Sequence, residues 1–141
     1  MIILDTNIVS EPMKSDADRA VQAWLDAQIA ETLYLTSISL SELLLGVELL
    51  PDGKRKKGIA AALAELLVTL FGPRILPFDQ QAATEYATRI SRARASGRTI
   101  SMADGQIAAI AAARGYSVAT RDAAPFIAAG VSVVNPWEQG V

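Results

Sequence analysis

Neither cysteine nor histidine occurs among the 141 residues. These two absences exclude disulfides, thiolate or imidazole zinc sites, cysteine nucleophiles, Ser-His-Asp triads and histidine-based acid–base nucleases. Long hydrophobic runs are also missing. The longest candidate, around Leu43 to Leu50, is interrupted by Gly46 and Glu48, so no membrane span is expected. The N-terminus shows no basic stretch followed by an apolar core, so no secretory signal is expected. Charge of one sign is lacking as well, with 13 basic against 15 acidic residues, and no global positive charge advertises nucleic acid. Chemistry is left to carboxylates, hydroxyls, amides, Lys, Arg, Tyr or a hard metal ion. The 51% of hydrophobic residues supply a core, and the length suits one domain over 1–141, within the roughly 100–200 residues of a single core. The expectation is a cytoplasmic protein with no membrane partner.

Short apolar runs alternate with helical spacings along the chain. Strands are expected at 2–4, 33–36, 74–76, 117–120 and 131–134. Helices are expected at 20–30, 40–50, 59–71, 80–95 and 102–114, with a short one after Asp122. Val21, Trp24, Leu25 and Ile29 show the helical period, Pro51-Asp52-Gly53 breaks the second helix, and Gly97 separates the last two long ones. Alternating strands and helices imply a central, mostly parallel sheet with helices on both faces, a three-layer α/β/α sandwich.

Five acids follow strands or open helices: Asp5, Glu42, Asp79, Asp104 and Asp122. In a parallel sheet the strand C-termini share one edge, where ligands bind, so these carboxylates are expected to converge. Such a cluster needs a compensating cation, and an oxygen-only donor set favours Mg²⁺ or Mn²⁺. Helix capping competes with this reading. Ser39-Leu40-Ser41-Glu42 has the form of a capping box, Ser101-Met102-Ala103-Asp104 is its Asp variant, and Asp5, Asp79 and Asp122 each suit an N-cap.

The segments ILDTNIVSEP, the Ser-x-x-Glu helix, SMADGQIAA, VATRD and NPW together resemble PIN-domain endoribonucleases of the VapC/FitB toxin type over essentially the whole chain. Ser10-Glu11-Pro12 and Asn135-Pro136-Trp137 are nearest to the FitB-like branch. The resemblance implies that Asp5, Glu42, Asp104 and Asp122 hold one or two Mg²⁺ or Mn²⁺ ions that activate water against an RNA phosphodiester, with Asp5 as the central ligand. Thr6, Asn7 and Thr120 resemble the family's supporting polar positions, although Thr6 and Thr120 equally suit helix caps. Asp79 has no counterpart in that quartet and is expected to be a cap. The resemblance also implies a homodimer and a cognate antitoxin of ribbon-helix-helix type, through which operator DNA is bound.

Setting the four acids aside leaves a small excess of basic residues. Lys54-Arg55-Lys56-Lys57 form one cluster and Arg89, Arg92, Arg94 and Arg98 another; the second lies near Ser101 and Asp104, a placement that suits contact with RNA. Arg121 beside Asp122 suits phosphate or tempers the acids. The helix after the second strand is apolar nearly all round, so it is either deeply buried or covered by a partner, and Gly46 within it suggests close approach of another backbone. A Mg²⁺-dependent phosphatase, a phosphoacceptor module and a non-catalytic interaction protein are alternatives, but Asn7 stands where a phosphatase usually places a second Asp.

Overall fold

The computed structural model describes residues 1–138; the last three residues of the expected 1–141 domain lie outside that range. Five parallel strands form the sheet: β1 (Ile2–Leu4), β2 (Leu33–Thr36), β3 (Ile75–Leu76), β4 (Ser117–Ala119) and β5 (Val133–Val134). Their spatial order is β3-β2-β1-β4-β5. The chain winds outward from β1 in one direction, then returns to place β4 on the other side of β1. The register pairs Ile3 with Tyr34 on one flank and with Val118 on the other.

Side chains one residue apart on a strand leave on opposite faces, and here each face has its own core. Ile3 and Val118 pack with Ile90, Ile107, Ile110 and Phe126, from α5 (Gln80–Ala95), α6 (Met102–Arg114) and α7 (Ala124–Ala128). Leu4 and Ala119 pack with Ile8, Leu43, Leu63 and Phe71. These belong to the layer of α1 (Thr6–Ser10), α2 (Arg19–Ala27), α3 (Ser37–Glu48) and α4 (Lys54–Leu66). Burial on both sides explains why the strands read as short continuous apolar runs. This is the expected three-layer α/β/α architecture.

Several boundaries differ from the sequence expectation. α3 starts at Ser37, ahead of the expected residue 40, because the Thr36 hydroxyl at the end of β2 accepts the Ser39 amide at 3.1 Å. Ser39 is therefore inside the helix, its Oγ buried without a partner, and Glu42 stands in the second turn. The Ser39–Glu42 capping box does not form. α4 takes in Lys54-Arg55-Lys56-Lys57 as its first turn. Cations at a helix N-terminus oppose the macrodipole; Lys56 offsets this by donating to the Glu48 carbonyl at 3.0 Å. The same helix continues through a wide π-turn, Leu67–Phe71. β1 and β2 have the expected bounds, β3, β4 and β5 are shorter by one or two residues, and α2 ends at Ala27. Among the described residues no helix is long and apolar enough to cross a membrane.

Candidate active site

The reversal of strand order falls between β1 and β4, the place where an open parallel sheet leaves a crevice beyond its strand ends. Asp5 occupies that point. Its amide donates to the Ala119 carbonyl at 2.9 Å, carrying the ladder one residue past β1. Its carboxylate is only 7% exposed and both oxygens are held: Oδ1 accepts the Thr6 amide at 2.8 Å, and Oδ2 accepts the Thr120 hydroxyl at 2.8 Å. Burial raises the Asp5 pKa. The hydrogen bonds from Thr120 and Thr6 pull it back down, while the charges of Glu42 and Asp122 push it up further.

Thr120 is fully buried and its hydroxyl is a junction. While donating to Asp5 it accepts the Asp122 amide at 3.1 Å and the Asn7 side-chain amide at 3.5 Å. Asn7 in turn accepts the Arg121 amide at 3.4 Å, tying the segment after β1 to the segment after β4. Thr6 reaches the other way and donates its hydroxyl to Glu42 Oε1 at 3.1 Å. Neither threonine caps a helix: Thr6 is the first residue of α1, which Asp5 caps, and α7 is preceded by Ala123 without a side-chain cap. Asp122 is likewise not a cap. Asp79 is one, its Oδ1 accepting the Ala82 amide at 2.9 Å at the start of α5.

Asp104 stands in the first turn of α6, its amide donating to Ser101 Oγ at 3.2 Å. Burial raises its pKa first, the charge of Asp5 adds to that, the hydrogen bond with Ser101 lowers it, and Asp122 raises it again. Asp104 and Asp122 border one cavity of about 600 Å³. Asp5, Glu42, Asp104 and Asp122 thus share one end of the sheet and feel one another's charge. They do not converge as tightly as expected: among the described residues, no three acids stand close enough together to ligate one ion. Glu42 and Asp122 are exposed, Glu42 borders a neighbouring cavity, and Asp5 is buried between the strand ends.

Among the described residues the ion pairs are Lys14–Glu11, Lys56–Asp52 and Arg89–Glu85, and none involves these four acids. Arg121 does not temper them. Its guanidinium lies over the Trp137 ring, 5.1 Å from the centroid. Asn135 braces this arrangement by donating to the Arg121 carbonyl at 3.4 Å and accepting the Trp137 amide at 3.0 Å. The site therefore offers an all-oxygen donor set, without a protein counter-charge, of the kind a hard divalent cation satisfies.

Two positions escape a reading of the sequence. Gly105, next to Asp104, lies against α5; a Cβ there would meet Ile90 Cδ1 and Tyr86 Cε2 at 2.9 Å. Nothing from this chain lies within 4 Å of a Cβ at Gly46, so the close approach expected there falls to a partner. The signal for Gly105 is the same one, a glycine inside a helix at a cost of about 1 kcal/mol. Arg89 is the second. It is not free for RNA, because it bonds Glu85 at 2.9 Å and the Ala129 and Gly130 carbonyls at 2.9 and 3.2 Å, latching α5 to the end of α7.

The family profile described as PIN domain matches residues 2–130. VapC ribonuclease Y4jK of Sinorhizobium fredii is 51% identical over 139 residues, which cover 98% of this chain and 99% of that protein. Toxin FitB of Neisseria gonorrhoeae is 47% identical over 137 residues, covering 97% of this chain and 99% of FitB. Among solved structures, FitAcB from Neisseria gonorrhoeae superposes with a TM-score of 0.94 at 47% identity, over 98% of this chain and 99% of that one. A structure of FitAB bound to an IR36 DNA fragment gives 0.94 at 46% identity, over 98% and 96%.

Proposed function

Because this chain belongs to the PIN-domain family, we propose that it is a Mg²⁺- or Mn²⁺-dependent endoribonuclease and the toxin of a toxin–antitoxin pair. The observation that carries the reading is Asp5: a buried carboxylate at the sheet's reversal point, surrounded by three further acids and paired with no basic side chain. The names of the relatives, a ribonuclease and a toxin, point the same way.

In this reading Asp5, Glu42, Asp104 and Asp122 would hold the metal, with Asp5 central. When bound, an ion of this class lowers the pKa of a water and offsets charge building on the phosphodiester, so no histidine is required. The chain's own contribution is arrangement. Thr120 fixes one oxygen of Asp5 and the amide of Asp122. Thr6 orients Glu42, and Asn7 locks the two strand ends together. Phosphoryl transfer onto Asp5 fits less well, because Asn7 stands where a phosphatase usually places a second Asp.

The same proposal takes residues 1–141 as a single cytoplasmic PIN domain. It takes the chain as a homodimer, since Leu44 and Leu45 of α3 and Leu49 just past its end are 47%, 58% and 74% exposed, apolar side chains that a partner would cover. A cognate antitoxin of ribbon-helix-helix type would contribute a basic side chain to the acidic mouth and carry the operator-DNA contacts.

The test is cleavage of a panel of single-stranded and structured RNAs with Mn²⁺ or Mg²⁺, with EDTA and a folded Asp104→Asn variant as controls. Cleavage lost in both controls is the expected result. Cleavage that survives EDTA overturns the metal assignment, and absence of both metal binding and cleavage overturns the nuclease reading.

A further inference from the structure

The cavity of about 600 Å³ that borders Asp104 and Asp122 is lined by two unlike chain segments, Arg98 and Thr99 from one and Pro125 and Ile127 from the other. Ile127 is 59% exposed, a branched apolar side chain left open in the cavity that Asp104 and Asp122 share. The volume falls within the roughly 300–1,000 Å³ that encloses a small ligand or one unit of a polymer.

Arg98 is held at this cavity by backbone geometry. α5 ends in a left-handed turn at Gly97, φ +74°. The Gly97 amide donates to the Arg94 carbonyl at 3.0 Å and the Arg98 amide to the Ala93 carbonyl at 2.9 Å, the paired bonds of a Schellman motif. Two residues on, Ile100 is buried in the core and Ser101 caps α6. The segment carrying Arg98 is thus pinned at both ends. Its side chain is exposed and enters none of the ion pairs among the described residues. Of the four arginines clustered in this part of the sequence, Arg89 is committed to the α5–α7 latch, and Arg92 and Arg94 are exposed but do not line the cavity.

An acidic mouth alone repels a polyanion. A guanidinium carried there on a pinned backbone supplies a planar, permanently charged partner for a phosphate, and the apolar residues lining the same cavity offer a surface for a base face. We infer that Arg98 binds the backbone phosphate of the RNA nucleotide adjoining the cleaved linkage, while that nucleotide's base lies against Pro125 and Ile127. This rests on the ribonuclease reading and adds a substrate subsite to it.

The experiment uses the full chain in EDTA and a fluorescent, mixed-sequence single-stranded oligoribonucleotide, with binding measured across a range of salt. Arg98→Gln is expected to weaken binding about tenfold, as for loss of one charge-assisted hydrogen bond. It should also flatten the salt slope by about 0.7, as for one single-strand phosphate contact. Arg92→Gln, an equal loss of charge on the same face of the sequence, should leave affinity within twofold. Ile127→Ser should weaken binding with the salt slope unchanged, and an abasic oligonucleotide should erase its deficit. On any RNA that is cleaved, Arg98→Gln should raise KM and leave kcat within a few-fold. Equal behaviour of Arg98→Gln and Arg92→Gln, with both melting like the parent protein, overturns the inference. A parent chain that binds RNA with these signatures but never cleaves it overturns the nuclease reading and leaves the subsite standing. A parent chain that binds no RNA in EDTA overturns the subsite, and one that in addition neither binds Mn²⁺ nor cleaves RNA overturns both.

Discussion

Thr120 donates its hydroxyl to Asp5 at 2.8 Å across a sequence separation of 115 residues. That one bond joins the ends of two neighbouring strands, β1 and β4, and holds an oxygen of a buried acid.

Replacing Thr120 with valine keeps the shape and removes the donor. A hydrogen bond to a charged group contributes about 1.5–3 kcal/mol, so nuclease activity should fall by roughly 10- to 100-fold. Because that bond lowers the Asp5 pKa, its loss should move the acidic limb of the pH–rate profile to higher pH. Thr120→Ser should restore both. A profile that stays in place would show that Thr120 supports the fold without governing Asp5.

Asp79 and Asp104 occupy comparable positions at helix starts, and only Asp104 lies with the other acids. Asp104→Asn is expected to abolish cleavage. Asp79→Asn should keep most of it, because asparagine caps a helix about as well as aspartate. Equal losses in two folded variants would break the assignment, and cleavage assays beside melting curves decide it.

Burial lifts the pKa of Asp5, and burial reinforced by the Asp5 charge lifts that of Asp104. The folded protein therefore holds these protons more tightly than the unfolded chain. Stability from these groups is greatest in acid and declines as pH rises from the ordinary carboxylate value through the raised one. At neutral pH in EDTA, Asp104→Asn should melt above the parent protein, and the difference should shrink toward about pH 4. Mn²⁺ should stabilise the parent and have little effect on the variant. At a hundredfold excess over Kd the gain is about 2.7 kcal/mol, roughly 5–10 °C for a chain of this size. A Mn²⁺ shift of equal size in both proteins would place the ion elsewhere.

Gly105 lets α6 lie directly against α5. An alanine there gains helix propensity of about 1 kcal/mol but drives a methyl group into Ile90 and Tyr86, and overpacking typically costs about 1–3 kcal/mol. A net loss of about 1 kcal/mol is expected in urea unfolding, with reduced cleavage as Asp104 shifts. Gly46→Ala, where the space is open, should stabilise the monomer or leave it unchanged.

The layers and the strands were readable because buried parallel strands are apolar along their length, and Ile3 with Val118 or Leu4 with Ala119 needs no further cue. α5 and α6 were readable because Asp79, Gly97, Ser101 and Gly115 punctuate them with distinct cap chemistry. α3 was misplaced because Ser39 and Glu42 imitate a capping box, while Thr36, hidden at the end of a strand, makes the actual cap. At the site, position after a strand was enough to nominate Asp5 and Asp122, and position in the first turn of a helix to nominate Asp104. It carried no information on how far apart the acids stand. Nor did it reveal that Arg89 spends its charge on carbonyls 40 and 41 residues away. Spacing along a chain reports local periodicity, and such long-range contacts appear only once the elements have docked.

The placement of β4 next to β1 also sets a timetable. A chain emerging from the ribosome exposes Asp5 and Glu42 early, yet β1 lacks its second neighbour until β4 has been made. Asp5 cannot receive the Thr120 hydroxyl, and Asp122 does not exist, until nearly all of the domain has been synthesised. In the proposed reading a nascent fragment therefore lacks the completed site, and the nuclease exists only once the newborn protein closes its sheet, which leaves the proposed antitoxin that whole interval in which to be made.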